Sequence, residues 1–283
     1  MDQKKYKKIS FQGAYGAYSD LSCRNLYPNL ETVPCNSFEK AFNTVIEGEA
    51  DLAMIPVDNS LAGRVADVHH IIPKSGLHVI GEFFLPIKHT LLGIKGAKIE
   101  DITDVHSHVH AIPQCRKVIK KLNINSHIHA DTAGAACEIS QRKDKTQAAI
   151  ASSLAAEIYD LDILIDDIQD ADHNTTRFLI FSRDKIIPEY KENELIITSF
   201  VFKVRNIPAA LYKAMGGFAT NGINMTKLES YVDENFQAAQ FYCDVEGHPD
   251  EENLKLALEE LSFFAKELTI IGTYPAHDFR KRN

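Results

Sequence analysis

An arginine stands where a buried strand is predicted to begin. Residues 178–181 (FLIF) are apolar and typical of a strand, and two threonines and Arg177 come directly before them. Arg177 could pair with Asp170 or Asp172 at the edge of a sheet. It could instead hold a ligand carboxylate, because its fork makes two parallel charge-assisted hydrogen bonds. The hydroxyl of Thr176 would then reach the same ligand.

Two polar turns follow other predicted strands. Gly13 and Gly16 lie between a short strand and a helix that is predicted from about residue 18 to 27, where backbone N–H groups can bind an anion. Asp58, Asn59 and Ser60 follow the apolar run 51–57, at the strand end where open α/β sheets bind ligands. A tight strand–helix turn explains the first cluster equally well, and ordinary turn chemistry explains the second.

Five histidines suggest a metal site, and their spacing argues against it. They are His106, His108, His110, His127 and His129. No acidic or thiolate partner lies at the usual zinc spacing, so we predict no metal. The basic residues of 116–121 (RKVIKK) avoid the apolar stripe of a predicted helix and indicate a solvated face.

The composition excludes several classes of protein. The 283 residues carry a net charge of −8, which disfavours a nucleic-acid binder. The five cysteines are scattered without a C-x-x-C pair, as in reduced intracellular proteins. The lysine-rich start lacks the apolar segment of a signal peptide, and no apolar run has the length of a membrane span. We therefore expect a cytoplasmic protein without membrane or nucleic-acid partners.

Alternating strand and helix patterns divide the chain into three parts. Residues 6–184 read as an α/β region with a mostly parallel sheet, and the stretch 77–96 could carry the chain into a second lobe. A cleft between two lobes would be the natural ligand site. Residues 185–194 are a polar linker. Residues 195–278 follow the ferredoxin-like order βαββαβ, with a helix from Pro208 to Gly222 and a turn at 233–235.

Five motifs in order resemble those of prephenate dehydratase, in its monofunctional form with a C-terminal ACT domain. The resemblance covers about residues 6–275. The matching segments are 13–19 (GAYGAYS), 56–63 (PVDNSLAG), 107–115 (SHVHAIPQC), 131–136 (DTAGAA) and 176–178 (TRF). Asp58 stands where the family has Glu. The resemblance implies a periplasmic-binding-protein-like catalytic domain of two α/β lobes followed by an ACT domain.

The resemblance also implies the reaction and the residues that carry it. The family converts prephenate to phenylpyruvate, CO2 and water in phenylalanine biosynthesis, without metal or organic cofactor. Thr176 would donate a hydrogen bond to the departing hydroxyl, Arg177 would grip a substrate carboxylate, and Phe178 would pack under the ring and exclude water. The other candidate substrate-binding residues are Ser19, Asn59, Ser60, Gly63, Ser107, Gln114 and Thr132.

The C-terminal part implies regulation and assembly. In relatives the ACT segments bind phenylalanine, and here they match Pro208, Ala209, Ala210, Leu211, Glu229 and Ser230. ACT domains often pair, which implies a homodimer or homotetramer. Two rival functions stay open: dehydration of arogenate, which carries an amino group instead of the keto group, and a cytosolic amino-acid sensor without turnover.

Overall fold

The computed structural model describes residues 5–205, 207–232 and 238–282, which form two compact units. The first unit comprises Met1–Ile71 and Phe83–Phe178, and the second comprises Ile72–Glu82 and Leu179–Asn283. The predicted domain boundary at residue 184 lies six residues beyond the point where the chain enters the second unit. Strands β5 (His78–Pro86) and β11 (Thr175–Ser182) contribute residues to both units.

The first sheet of the first unit has the strand order β5-β11-β3-β1-β2. The other strands are β1 (Lys8–Gln12), β2 (Glu31–Cys35), β3 (Leu52–Asn59) and the short β4 (Gly63–Arg64), which pairs with β3. The helices are α1 (Tyr18–Leu26), α2 (Phe38–Ile46) and α3 (Ala66–Ile71). Helix α2 is capped at its N-terminus, since the Ser37 hydroxyl accepts a hydrogen bond from Lys40 N. Strand β1 lies parallel to both β2 and β3, as expected for a sheet with covered faces.

The second sheet of this unit has the strand order β10-β6-β9-β7-β8. Its strands are β6 (Thr90–Ile94), β7 (Asp104–His108), β8 (Asn125–His129), β9 (Gln147–Ala151) and β10 (Leu161–Ile165). Its helices are α4 (Arg116–Leu122), α5 (Thr132–Arg142) and α6 (Ser153–Ile158). Strand β7 is parallel to both neighbours, whereas β6 is antiparallel to both of its neighbours. The expected mostly parallel sheet is therefore wrong here, because strand periodicity carries no information on direction. Strand β10 was not predicted.

The second unit confirms the predicted order βαββαβ. The elements are β12 (Ile196–Val204), α7 (Ala210–Thr220), β13 (Met225–Val232), β14 (Ala238–Glu246), α8 (Glu252–Phe264) and β15 (Ala265–Pro275). Their sheet order is β13-β14-β12-β15. Phe200, Phe202 and Phe241 form the centre of its core with α7 and α8. Helix α7 begins at Ala210 rather than at Pro208, because Ala209 takes a left-handed φ of 60°. The predicted turn at 233–235 lies outside the described residues.

Candidate active site

A cavity of about 270 Å³ opens in the first unit, where strands of its two sheets end. That volume would hold roughly nine waters. Strands β1, β3, β7 and β8 all point their carboxyl ends at it, which is the expected position for a ligand in an α/β sheet. The polar lining is Gln12, Tyr18, Ser19, Asn59, His89, His108, His110, Gln114, Asp131, Thr132 and Thr176.

The start of β11 brings Thr176 and Phe178 to the cavity wall. Alternation along the strand turns Arg177, the residue between them, to the other face. Its side chain is 6% exposed and its guanidinium Nη1 lies 3.7 Å from Asp58 Oδ2. The neighbouring carboxylate is therefore that of Asp58, and not that of Asp170 or Asp172 as the sequence suggested. Arg177 is not among the residues that line the cavity.

Asn59 fixes the hydroxyl of Thr176. Its amide Nδ2 donates to Thr176 Oγ1 at 2.9 Å and to Asn174 Oδ1 at 2.8 Å. Its own Oδ1 accepts from the backbone N–H groups of Leu61 and Ala62. Because the threonine oxygen accepts from Asn59, the threonine hydrogen is left to point to a ligand in the cavity.

Gln114 and His89 continue the polar wall. Gln114 Oε1 accepts from Asn174 Nδ2 at 2.6 Å and lies 2.9 Å from His89 Nε2. His89 Nδ1 lies 2.7 Å from the hydroxyl of Tyr18, which also lies 2.9 Å from the carbonyl oxygen of Lys88. Burial lowers the pKa of His89, and burial raises the pKa of Tyr18 well above its usual value, so both side chains are uncharged near pH 7.

Two helices begin at the cavity. Ala17 precedes α1 and makes no side-chain cap, but the buried carboxylate of Asp20 in the first turn accepts from Gly16 N at 2.8 Å. The N-terminus of α1 can therefore offer a ligand only the backbone N–H groups near Tyr18 and Ser19 that Asp20 leaves unused. At α5 the position is taken, because the carboxylate of Asp131 accepts from Gly134 N at 2.6 Å. Among the described residues lining the cavity none is Lys or Arg. Neutral hydrogen-bond donors therefore supply most of the attraction for an anion, because Asp20 offsets the positive end of α1.

Two histidines complete the wall. The rings of His108 and His110 lie 5.1 Å apart. Burial, and secondarily the neighbouring His110, lowers the pKa of His108, so its imidazole is neutral near pH 7 and can accept a proton. Away from the cavity, His106 stacks on His127 and His127 Nε2 lies 2.7 Å from Asp104.

Three predicted substrate-binding residues lie outside the cavity wall. The hydroxyl of Ser60 donates to the carbonyl of His173, and the hydroxyl of Ser107 is buried and donates to the carbonyl of Ile150. Gly63 lies in β4, which is exposed. Ser19, Asn59, Gln114, Thr132, Thr176 and Phe178 do line the cavity.

Tyr18, His89 and Asn174 were missed by the sequence analysis. Tyr18 lies within the motif 13–19 but was not singled out, and Asn174 lies two residues before Thr176. His89 lies in the stretch 77–96, where no motif marks it.

The remaining predicted residues belong to the second unit. Residues 208–211 lie at the start of α7, and Glu229 and Ser230 lie on β13. The carboxylate of Glu229 lies 3.7 Å from Lys227 Nζ. Within the described ranges, no three His, Cys, Asp or Glu side chains are grouped so that they could hold a metal ion. No described helix combines the length and apolarity needed to cross a bilayer.

Known proteins share this chain's sequence and fold. The family model for prephenate dehydratase matches residues 9–186. A bifunctional N-acyl-homoserine lactone acylase/prephenate dehydratase of Komagataeibacter europaeus is 47% identical over 97% of this chain and 98% of its own length. Arogenate dehydratase/prephenate dehydratase 2 of Arabidopsis thaliana is 38% identical, over 95% of this chain and 72% of that protein.

A solved structure agrees with the sequence relatives. The crystal structure of prephenate dehydratase from Arthrobacter aurescens in complex with L-Phe superposes with a TM-score of 0.87 at 27% identity, over 96% of this chain and 91% of that one. The chain therefore belongs to the prephenate dehydratase family.

Proposed function

We propose that the chain converts prephenate to phenylpyruvate, CO2 and water. The observation that carries the proposal is the Thr176 hydroxyl, which lies at the cavity wall with its oxygen occupied by Asn59 and its hydrogen available. A departing hydroxide is a poor leaving group, and a fixed donor aimed at the developing negative charge lowers the barrier.

The substrate itself supplies the electrons for this elimination. The bond between the ring and its carboxylate breaks, and its electron pair enters the ring. The ring carbon–oxygen bond breaks at the opposite position, and the hydroxide leaves with a proton as water. The neutral Thr176 hydroxyl stabilises the leaving oxygen by a hydrogen bond, and solvent supplies the net proton. The wall at Phe178 keeps other water away from the ring, which strengthens this hydrogen bond.

Neutral hydrogen-bond donors in the cavity wall can bind a substrate that carries two carboxylates. The N-terminus of α1 with Ser19, and the donors Gln114 and Thr132, are the groups we assign to the substrate carboxylates. Arg177 contributes indirectly in this scheme, by holding Asp58 beside Asn59 at the end of β3. Purified protein mixed with prephenate should form phenylpyruvate well above the spontaneous rate. A rate equal to that of the no-enzyme control would rule the proposal out.

Arogenate is the alternative substrate for the same site. The Arabidopsis relative is named for both arogenate and prephenate. Asp131 lines the cavity, and its carboxylate could attract the ammonium group that distinguishes arogenate from prephenate. Parallel measurements of kcat/KM for both substrates decide between them, since conversion of arogenate yields phenylalanine directly.

Hydrolysis of N-acyl-homoserine lactones is a second candidate activity. The Komagataeibacter relative carries that name, and the cavity residues His108 and His110 have no part in the dehydration above. A neutral His108 could take a proton from water as the water attacks the amide carbon, and return that proton to the amide nitrogen as the carbon–nitrogen bond breaks, so that the nitrogen leaves as a neutral amine.

The second activity has its own test. Release of free homoserine lactone by wild-type protein, lost in His108→Gln and kept in His127→Gln, would support it. His127 is the matched control because it lies away from the cavity on β8. Absence of release by the wild type would exclude the activity.

The second unit is proposed to regulate the first as an ACT domain. We divide the chain into a catalytic region 6–184, a linker 185–194 and a regulatory region 195–278, and we expect ACT domains of two or four chains to pair. The solved Arthrobacter protein contains L-Phe, which supports phenylalanine as effector. Here Glu229 is suited to the ammonium group of an amino acid, and Pro208, Ala209, Ala210, Leu211 and Ser230 are assigned to the same site.

Full-length protein is required for the test of regulation. Gly272 of β15 pairs with Val79 of β5, and Arg280 forms two hydrogen bonds with the buried carboxylate of Glu82, so truncation would strip partners from β5. Phenylalanine should change the rate of the intact chain, and Glu229→Gln should raise the concentration needed for half the effect. Glu267→Gln, an exposed change on β15, is the control. An unchanged response in Glu229→Gln would contradict the assignment.

A further inference from the structure

A continuous chain of hydrogen bonds joins Thr176 to Tyr18 through four side chains. It runs from Thr176 to Asn59, Asn174, Gln114 and His89, and ends at the Tyr18 hydroxyl. Amide groups can face either way, so the direction of such a chain must be fixed by something rigid.

The backbone fixes the first amide. Asn59 Oδ1 accepts from Leu61 N at 3.0 Å and from Ala62 N at 2.7 Å. The reverse orientation would set an NH2 group against two N–H groups. The Nδ2 of Asn59 must therefore be the atom that donates to Thr176 and to Asn174.

Each later link follows from the one before. Asn174 accepts from Asn59 through Oδ1, so its Nδ2 donates to Gln114 at 2.6 Å. Gln114 accepts through Oε1, so His89 carries its hydrogen on Nε2, at 2.9 Å. The neutral ring then accepts from the Tyr18 hydroxyl through Nδ1 at 2.7 Å, and the carbonyl oxygen of Lys88, at 2.9 Å, is a second acceptor for the same hydrogen.

The ends of this chain meet the ligand. The hydrogen of Thr176 and the NH2 group of Gln114 are the groups left to donate to a ligand in the cavity. Each of these groups can donate a hydrogen bond to an oxygen atom of a substrate carboxylate or of the leaving hydroxyl.

We propose that Asn174 is a positioning residue that keeps both donors aimed into the cavity, an inference whose catalytic meaning rests on the proposed dehydration. Asn174 is 2% exposed and does not line the cavity. Its backbone carbonyl accepts from Ile87 N at 2.8 Å, so main chain and side chain are both fixed. Within the described ranges, Asn174 is the side chain that joins the amide of Asn59 beside Thr176 to the amide of Gln114 that faces the ligand.

The test is Asn174→Asp, which keeps the shape and removes the donor. A carboxylate there repels Gln114 Oε1, so the Gln114 amide turns and presents its oxygen to the ligand. We expect kcat/KM at pH 8 to fall by about 10- to 100-fold, the effect of one unsatisfied buried polar group. A protonated aspartic acid has one O–H donor and one carbonyl acceptor, like the amide it replaces. Activity of this variant should therefore recover as the pH is lowered, with wild type and no-enzyme rates measured at each pH.

Two controls separate positioning from packing. Asn174→Ala should be impaired without recovery in acid, because it cannot regain the donor. Thermal unfolding of both variants shows whether they are folded at the assay temperature. Equal pH profiles for Asn174→Asp and wild type, or no loss of kcat/KM at pH 8, would overturn the proposal.

A spectroscopic readout makes the outcome independent of activity. NMR of protein with ¹⁵N-labelled histidine should show the Nε2–H tautomer of His89 in wild type, and the Nδ1–H tautomer in Asn174→Asp at pH 8, because the turned Gln114 then donates to Nε2. An Nδ1–H tautomer in wild type would overturn the proposal even if the variant does not fold. A wild type inactive on prephenate and arogenate would refute the proposed function, while the tautomer would still decide the role of Asn174.

Discussion

Replacing Thr176 by valine removes one oxygen and leaves the shape of the side chain almost unchanged. If the hydroxyl donates to the departing hydroxide, the loss resembles the loss of one oxyanion-hole donor. Such a loss lowers kcat by about 100- to 1,000-fold, or about 3–4 kcal/mol of barrier. KM should change little, because the hydrogen bond strengthens only as charge develops on the leaving oxygen.

The same change should cost little stability. Asn59 Nδ2 loses the acceptor at 2.9 Å and keeps Asn174 Oδ1 at 2.8 Å. One lost hydrogen bond to a neutral group costs about 1 kcal/mol, which is small against a stability of about 5–15 kcal/mol. The protein should therefore stay folded, so that the loss of rate can be assigned to chemistry.

The assay is steady-state formation of phenylpyruvate from prephenate, with the spontaneous rate subtracted. Thr175→Val is the matched control, since Thr175 is the preceding residue of β11, does not line the cavity and bonds Ser60 through its backbone. Thr176→Ser restores the hydroxyl and should retain most of the activity. A kcat of Thr176→Val within about threefold of wild type, less than about 1 kcal/mol, would refute the role given to the hydroxyl.

Three further changes test the surroundings of the site. Gly16→Ala should destabilise the protein by about 2 kcal/mol or more, because φ is +85° and a Cβ would lie 2.8 Å from Ala155 Cα. Gly96→Ala should cost less in the same denaturant titration, because φ is +71° but a Cβ would meet only Lys145 Nζ, at an ordinary contact distance of 3.6 Å. Arg177→Lys should lower the free energy of unfolding by about 1–3 kcal/mol, seen as a lower melting temperature, and should leave KM unchanged. A raised KM at an unchanged melting temperature would instead show that Arg177 binds the substrate. Hydrogen bonds, first from Thr103 and second from His127, lower the pKa of Asp104 from 3.8 to about 2. The stabilisation that the ionised carboxylate gives the folded protein is therefore complete above pH 4 and is lost as the pH falls towards 2. Wild type should therefore lose more stability than Asp104→Asn over that interval, and equal losses would show that Asp104 contributes nothing.

Local patterns were sufficient to predict most elements of the fold. Apolar residues recur at helical spacing from Phe38 to Ile46 after a typical cap residue, Ser37, and this pattern is sufficient to predict α2. The apolar run 51–57 predicted β3. These features depend on neighbours within a few residues, which periodicity records. The direction of β6 depends on which strands lie beside it, and no pattern within residues 90–94 carries that information.

Arg177 shows the same limit at the level of a side chain. Its type predicted a carboxylate partner, and a carboxylate does lie 3.7 Å away, on Asp58. The sequence could not supply the identity of that partner, since residues 58 and 177 meet only because β3 and β11 are neighbours in the sheet. Alternation along β11 then decides which side chains reach the cavity, and it selects Thr176 and Phe178.

Asn174 was overlooked for a reason that applies to positioning residues in general. It lies beside the threonine–arginine–phenylalanine motif, yet an asparagine before a strand is ordinary turn chemistry when read alone. Its two amide partners are 115 and 60 residues away in sequence. What distinguishes it is the orientation of an amide, which is fixed by Asn59 and ultimately by two backbone N–H groups at residues 61 and 62. A motif shows where a reactive group lies, whereas the direction in which that group donates is set by such distant contacts.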